Sequence, residues 1–285
     1  MRLYYKLPFL LFFLYSCKTT NKASEDVTRY LFQTEITPNT IFKTSIEQNM
    51  EMNMTMSGHG MPTYPTVVKT KTTGGTTLII GNKNQLGYNP VSITYDSLNV
   101  VAENELPVSS GQSTPDFSKA KLHGHYDGKT IRVDSVTGVN DQLSNMIQQL
   151  SQPIFDDMII NFPSNPMYIG ESFTDFKTLD LPLQGLGIGV MDMKLTYTLV
   201  KVMNQKATFN NTLVINGSIN INGEESLIVG EGSGYSILDI TEKYISFSNL
   251  TLTQTTNMKM QGVNIRQEIV IHSKNKVAKC RPDKS

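Results

Sequence analysis

The chain has no tryptophan and only two cysteines, Cys17 and Cys280. If Cys17 is consumed as argued below, no intramolecular disulfide can form, and stability has to come from a packed core. Charge of one sign is missing too: 25 basic residues balance 25 acidic ones, so no basic surface speaks for nucleic acid. Only four histidines occur, and no HExxH or clustered Cys/His pattern accompanies them, so no metal-site signature is present. No apolar run approaches the roughly 20 residues that a membrane-spanning helix requires.

What is present begins at the N-terminus. Arg2 and Lys6 precede the short apolar run Leu7–Leu14, and Cys17 follows closely before the polar Lys18, Thr19 and Thr20. A basic start and a short apolar core form an export signal rather than a span. The tetrad Leu14-Tyr15-Ser16-Cys17 resembles the lipobox of bacterial lipoproteins, which implies a diacylglyceryl group on Cys17 and cleavage before it. Two or three acyl chains make such attachment stable, where one alone is marginal. The expected organisation is a signal over 1–16, a lipidated cysteine and tether over 17–28, a single β-rich domain over 29–275 and a basic tail over 276–285.

Alternation is the main secondary-structure signal. From Ile41 to Ser57, Phe42, Ile46, Met50, Met52, Met54 and Met56 share one parity, while Lys43, Ser45, Glu47, Glu51 and Asn53 take the other. Side chains on a strand alternate between faces, so this is a long strand with one apolar and one polar side. The pattern recurs at Met191, Met193, Leu195 and Tyr197, and again from Ala207 to Ile221. Gly74-Gly75, Asp127-Gly128, Asn216-Gly217 and Asn222-Gly223 supply turn or bulge chemistry. One helical stretch interrupts the strands, with Leu143, Met146, Ile147 and Leu150 on one face and Asn140 or Asp141 placed to cap it. The expected fold is mainly β: one curved antiparallel sheet, a half-barrel or open barrel, with a short helical segment on its concave side.

The lipobox, the long alternating strands, the helix and the phrase Asn161-Phe-Pro-Ser-Asn-Pro-Met-Tyr-Ile-Gly-Glu-Ser-Phe173 resemble a family of uncharacterised Bacteroidetes lipoproteins. The resemblance covers most of the mature chain, and that phrase is its most specific part. More distantly, the layout is similar to half-barrel lipoprotein carriers of the LolA, LolB and LppX type, which implies acyl chains held between a curved sheet and helices. Neither resemblance implies catalytic residues. Asp96-Ser97-Leu98 and Asp134-Ser135-Val136 match the O-glycosylation pattern of the same phylum.

Catalytic readings fail on local chemistry. His123-Gly124-His125 places two imidazoles on one strand face, yet zinc needs a third ligand, and the pair reads as turn-flanking. Gly185-Leu-Gly-Ile-Gly189 follows no βαβ pattern and opens no helix, so Leu181–Val190 reads as a loop or pocket lip. Gly232-Ser233-Gly234 lacks the glycine spacing of a nucleophile elbow. No enzyme, cofactor or metal is expected.

The methionines favour a ligand more than any other residues, because Met adapts to varied apolar shapes. Met50, Met52, Met54, Met56, Met191 and Met193 are candidate pocket floor, and Leu143, Met146, Ile147 and Leu150 a candidate lid, against the alternative that they simply fill a core. The expected function is a non-enzymatic, lipid-anchored binding protein of the cell envelope. It holds a lipid or other apolar ligand, or else serves as a protein-interaction lipoprotein with a filled core. Expected partners are the membrane, through the lipid on Cys17, and an apolar small molecule; the default location is the periplasmic face of the outer membrane. Lys18 does not resemble an inner-membrane retention signal, and Glu25-Asp26 lies too far from Cys17 to resemble a surface-export signal.

Overall fold

The computed structural model describes residues 28–58, 61–104, 119–128, 130–141, 144, 147–148, 160–183, 187–221, 224–260 and 262–280. Eleven strands make one antiparallel sheet: β1 (Thr40–Gly58), β2 (Met61–Ile80), β3 (Asn89–Asn104), β4 (Lys121–Tyr126), β5 (Ile131–Thr137), β6 (Ser172–Leu183), β7 (Gly187–Met203), β8 (Lys206–Ile221), β9 (Glu224–Asp239), β10 (Tyr244–Met260) and β11 (Val263–Cys280). Their order is β5-β4-β3-β2-β1-β11-β10-β9-β8-β7-β6, and the sheet does not close into a barrel. The first and last strands therefore meet in the middle, in register from Ile41 opposite Cys280 to Gly58 opposite Val263. The stretch 276–280, expected to belong to a basic tail, is the end of β11, because its backbone completes the ladder with β1.

Several strands are far longer than usual: β2 has 20 residues, which at about 3.3 Å each gives roughly 65 Å. Val67–Thr73 and Thr77–Ile80, separate runs in the sequence, are one strand, and the bulge beside Gly75/Thr76 is the extra residue Asp96 on β3. Asn216-Gly217 lies inside β8 rather than at a turn; a Cβ on Gly217 would sit 2.6 Å from the Val190 carbonyl oxygen. The β7–β8 reversal is made by Asn204 and Gln205, both at positive φ, as a two-residue hairpin turn of the twist-matched kind requires.

The sheet has an apolar inner face and a mixed outer one, polar along β1 but with Phe176, Val190, Val214, Leu227 and Val229 exposed across β6 to β9; at one end, its base, the inner face is covered by two segments. The connection from β5 to β6 joins the two opposite edges, and its described parts touch both sides of the base. Asp141, Ser144, Ile147 and Gln148 are helical, and Ile147 is buried with Leu122 and Ile131 near one edge. Ile160 and Met167 are buried with Leu199 and Phe209 toward the other. This is the helical piece expected on the concave side; Leu143, Met146 and Leu150 lie outside the described residues.

The second segment is the stretch before β1. Tyr30 exchanges both backbone bonds with Met167, at 2.9 and 2.8 Å, and the Thr34 hydroxyl donates to the Ile160 carbonyl. Phe32 enters the core on the β8 side and Ile36 the core on the β2 side, so this strap ties the two halves of the sheet together. The Lys243 ammonium pairs with Glu35 at 2.6 Å and holds the strap to the β9–β10 turn. Rings from both segments converge on Phe209: Phe32 at 5.2 Å, edge-on, and Phe162 at 5.5 Å.

Burial at the base pushes the Tyr95, Tyr126 and Tyr244 phenols above their ordinary value of 10.0, with Asp127 and Glu35 adding to the effect at Tyr126. The folded state thus favours the neutral phenol, and the unfolded chain releases its protons first. That contribution is complete below pH 10 and is lost as pH rises through the raised folded values. Urea midpoints should fall between pH 9 and pH 11, and fall less when Tyr95, the most buried of the three, is replaced by Phe.

Candidate functional site

Away from the base, the same inner face carries the methionine row. Cross-strand register sets Met50 between Thr70 and Ile271, Met52 between Val68 and Ile269, and Met56 opposite Ile265. On β10, Met258 lies opposite Ile265 and Leu252 opposite Ile271. Directly opposite residues of an antiparallel pair share a face, so these side chains form one apolar field across four central strands. The polar parity faces outward: Glu51, Asn53 and Lys69 are on the other side, where Lys69 and Glu51 pair at 3.5 Å.

Burial distinguishes the two ends of this face. At the base, Phe42, Leu78, Ile80, Val91 and Ile93 are buried. Farther along the same face of the sheet, Met50, Met52 and Met54 of β1 and Ile265, Ile269 and Ile271 of β11 are only half-buried, and Met56 is exposed. A few polar groups punctuate the field: Thr256 is buried, and the Gln267 amide donates to the Met52 sulfur at 2.7 Å. An apolar surface with sparse, oriented polar groups is the composition of a site for an apolar ligand.

Met191 and Met193, the other candidate floor residues, are not in that field. They lie on β7 and pack with Leu213, Ile215 and Ile228, which are buried. The reason is a crease at β9, where Gly230, Gly232 and Gly234 occupy successive inner positions. Gly232 stands between Leu213 on β8 and Leu252 on β10, yet both leucines belong to one cluster. Without side chains in the line between them, the flanking strands fold toward each other, as glycine permits at a sheet corner. The sequence places Met191 and Met193 on the correct face, but not the crease that separates them from Met50–Met56. The signal in the sequence is the glycine alternation of Gly230-Glu-Gly-Ser-Gly234, of which Gly232-Ser233-Gly234 is the part that lacks a nucleophile elbow's spacing.

The histidine pair occupies the opposite surface. His123 and His125 lie at the end of β4, which stops at Tyr126 before the Asp127–Thr130 turn, and both face outward. His125 Nδ1 meets an Asp134 oxygen at 2.9 Å, its ring lies 5.0 Å from Tyr88, and His123 Nε2 is 3.3 Å from the Thr137 hydroxyl. Among the described residues no group of three or more His, Cys, Asp or Glu is placed to hold a metal. Leu181–Val190 is not a free loop: β6 runs to Leu183 and β7 starts at Gly187. Ser97 and Ser135 are both exposed, each beside a bulge. The turn within the Asn161–Phe173 phrase is built by Gly170, at φ +95, and by Glu171, whose carboxylate accepts from the Tyr168 N–H at 2.8 Å before β6 begins. An open groove of about 410 Å³ on the sheet is lined by Ser45, Ile46, Glu47, Thr73, Leu98 and Asn99, a mixed polar and apolar wall away from the methionine row. Cys17 lies outside the described residues.

No protein-family model and no curated protein matches the chain. Among solved structures, the chain is similar to Ail, the attachment invasion locus protein of Yersinia pestis, at 5% identity over 82% of this chain and 97% of that one, with a TM-score of 0.15. It is likewise similar to a mutant porin of Rh. blastica, at 8% identity over 81% and 99%, with a TM-score of 0.23.

Proposed function

We propose that this protein is a lipid-anchored binding protein of the cell envelope that holds a lipid or other apolar ligand against the inner face of its sheet. The observation that supports it is the contrast along β1: the same face is buried at Phe42 and half-exposed at Met50, Met52 and Met54, with Ile269 and Ile271 of β11 half-exposed beside them. A contiguous apolar field of this kind marks an interaction site, and methionine suits it to ligands of varied shape. The lipobox-like tetrad ending in Cys17 supplies the anchor.

Native mass spectrometry with lipid extraction tests the reading. The chain should carry a stoichiometric apolar molecule, and Met54→Glu should remove it while far-UV circular dichroism stays unchanged. A ligand-free mass that gains nothing from added phospholipid vesicles overturns ligand holding and leaves a protein-interaction role. The anchor is tested separately by Cys17→Ser, which should move the chain from the membrane to the soluble fraction of cells.

A further inference from the structure

Between the buried base and the methionine row, the inner face carries a belt of uncharged polar side chains. Register places Gln48 between Thr72 on β2 and Ser273 on β11. One row nearer the base it places Asn275 opposite Ser248, and Ser248 opposite Ser236. The belt reaches β8 at Asn211, which accepts from the Ser236 hydroxyl at 3.4 Å, while the Asn275 amide donates to the Ser248 hydroxyl at 3.5 Å. Gln48, Thr72 and Ser273 are half-buried, and among the described residues their side chains have no hydrogen-bond partner.

The same stretch of the face is free of charge. From Thr44 to Met54 on β1, Thr66 to Thr76 on β2, Gln267 to Val277 on β11 and Ser248 to Met258 on β10, every inner-facing residue is uncharged. The charges of these strands, among them Glu47, Glu51, Lys71, Glu268 and Lys274, are on the outer face. Lys279, the inner-facing cation of β11, lies at the base opposite Phe42 and is paired with Glu242 at 3.0 Å. An unpaired charge is expensive to bury, whereas hydroxyls and amides can both donate to and accept from an uncharged polar group.

We infer that the methionine site takes an amphiphile with an uncharged, hydroxyl-bearing headgroup, the head against this belt and an acyl chain over Met50, Met52, Ile269, Ile271 and Leu252. Gln48, Thr72 and Ser273 offer the mixed donors and acceptors that the hydroxyls of a glycerol or a sugar require. A phosphate or carboxylate in the same place meets no cation, so heads of that kind are excluded by desolvation rather than by shape. From Gln48 to Met54 the strand rises roughly 20 Å, enough for one acyl chain, which fills about half of a 30 Å hydrocarbon core.

The inference rests on the ligand-holding reading, and its probes separate the two. The full chain carrying Cys17→Ser, purified without detergent, is titrated by equilibrium dialysis with monopalmitoylglycerol, hexadecyl glucoside, palmitate and palmitoyl lysophosphatidate, each below its micelle concentration. The two neutral probes should bind at least about tenfold tighter than the two anionic ones, and the tighter neutral probe tells glycerol from sugar. Gln48→Leu should weaken the neutral probes about fivefold, the worth of one hydrogen bond, and Gln48→Lys should turn the preference toward palmitate. Anionic probes that bind as tightly as neutral ones, or neutral binding untouched by Gln48→Leu, overturn the inference and leave ligand holding in place. If no probe binds, the ligand-holding reading falls and the inference with it. Should Gln48→Lys fail to fold, as far-UV circular dichroism would show, the order of affinities and Gln48→Leu decide.

Discussion

Gly234→Val should lower the melting temperature by roughly 6–12 °C, taking about 3 kcal/mol for the substitution and 2–4 °C per kcal/mol for a domain of this size. A Cβ at Gly234 would lie 1.9 Å from the Asn249 carbonyl oxygen and 2.9 Å from Leu250 Cα. Both are backbone atoms of the neighbouring strand, so no rotamer change relieves the collision, and β10 has to move at the point where it closes the crease. Gly262→Ala is the matched control: it also has no Cβ to start with, at φ +81, but nothing lies within 4 Å of the added atom. Its cost should be backbone strain alone, about 1 kcal/mol. Thermal melts followed by far-UV circular dichroism compare the two; equal losses would mean that β9 and β10 do not approach as closely as described.

Phe209→Ala should cost about 3–5 kcal/mol, the range for removing a fully buried aromatic side chain. Phe209 is 0% exposed, and rings from both covering segments rest on it, Phe32 from the N-terminal strap and Phe162 from the edge-to-edge connection. The loss therefore has a location as well as a size. Limited proteolysis should cut the variant first before β1 and between β5 and β6, because both segments lose their shared anchor while the ladder stays paired. Urea denaturation gives the magnitude, and a change below 1 kcal/mol would show that the straps are held by their backbone bonds instead.

The fold was legible wherever a strand has one wet side. In β1 the alternation of Met50, Met52 and Met54 with Glu51 and Asn53 gave both the strand and the face, because the pleat enforces a period of two. The bounds were less readable. Thr73-Gly74-Gly75-Thr76 looks like a break, but β2 pairs with β1 straight through it, and the irregularity is the extra residue Asp96 on β3. Gly217 serves a strand position where a neighbouring backbone approaches, while the β7–β8 turn uses Asn204 and a residue that is not glycine, a pair without an obvious turn signature. Strand order was not readable, since period-two patterning specifies a face and no neighbour. As a result Met191 and Met193 were grouped with Met50–Met56, although four strands separate β7 from β1 in the sheet. The edge character of β6 is invisible in sequence for the same reason.

The central pairing of β1 with β11 has a consequence for the order in which the molecule is completed. On a ribosome, β2 to β5 can zip onto β1 as hairpins early, and β6 to β10 can do so later as a second meander; each wing forms from contacts near in sequence. The seam between the wings closes last, because its second half, Val263 to Cys280, is the last strand to be made. Such distant pairing carries a loop-closure cost before it returns any stabilisation, and it slows folding. Until then two long edges stand open in the middle of the future sheet, and one of them, β1, displays the methionine row. A chain that stops short of residue 263 would leave both wings formed and that row permanently unpaired along one side.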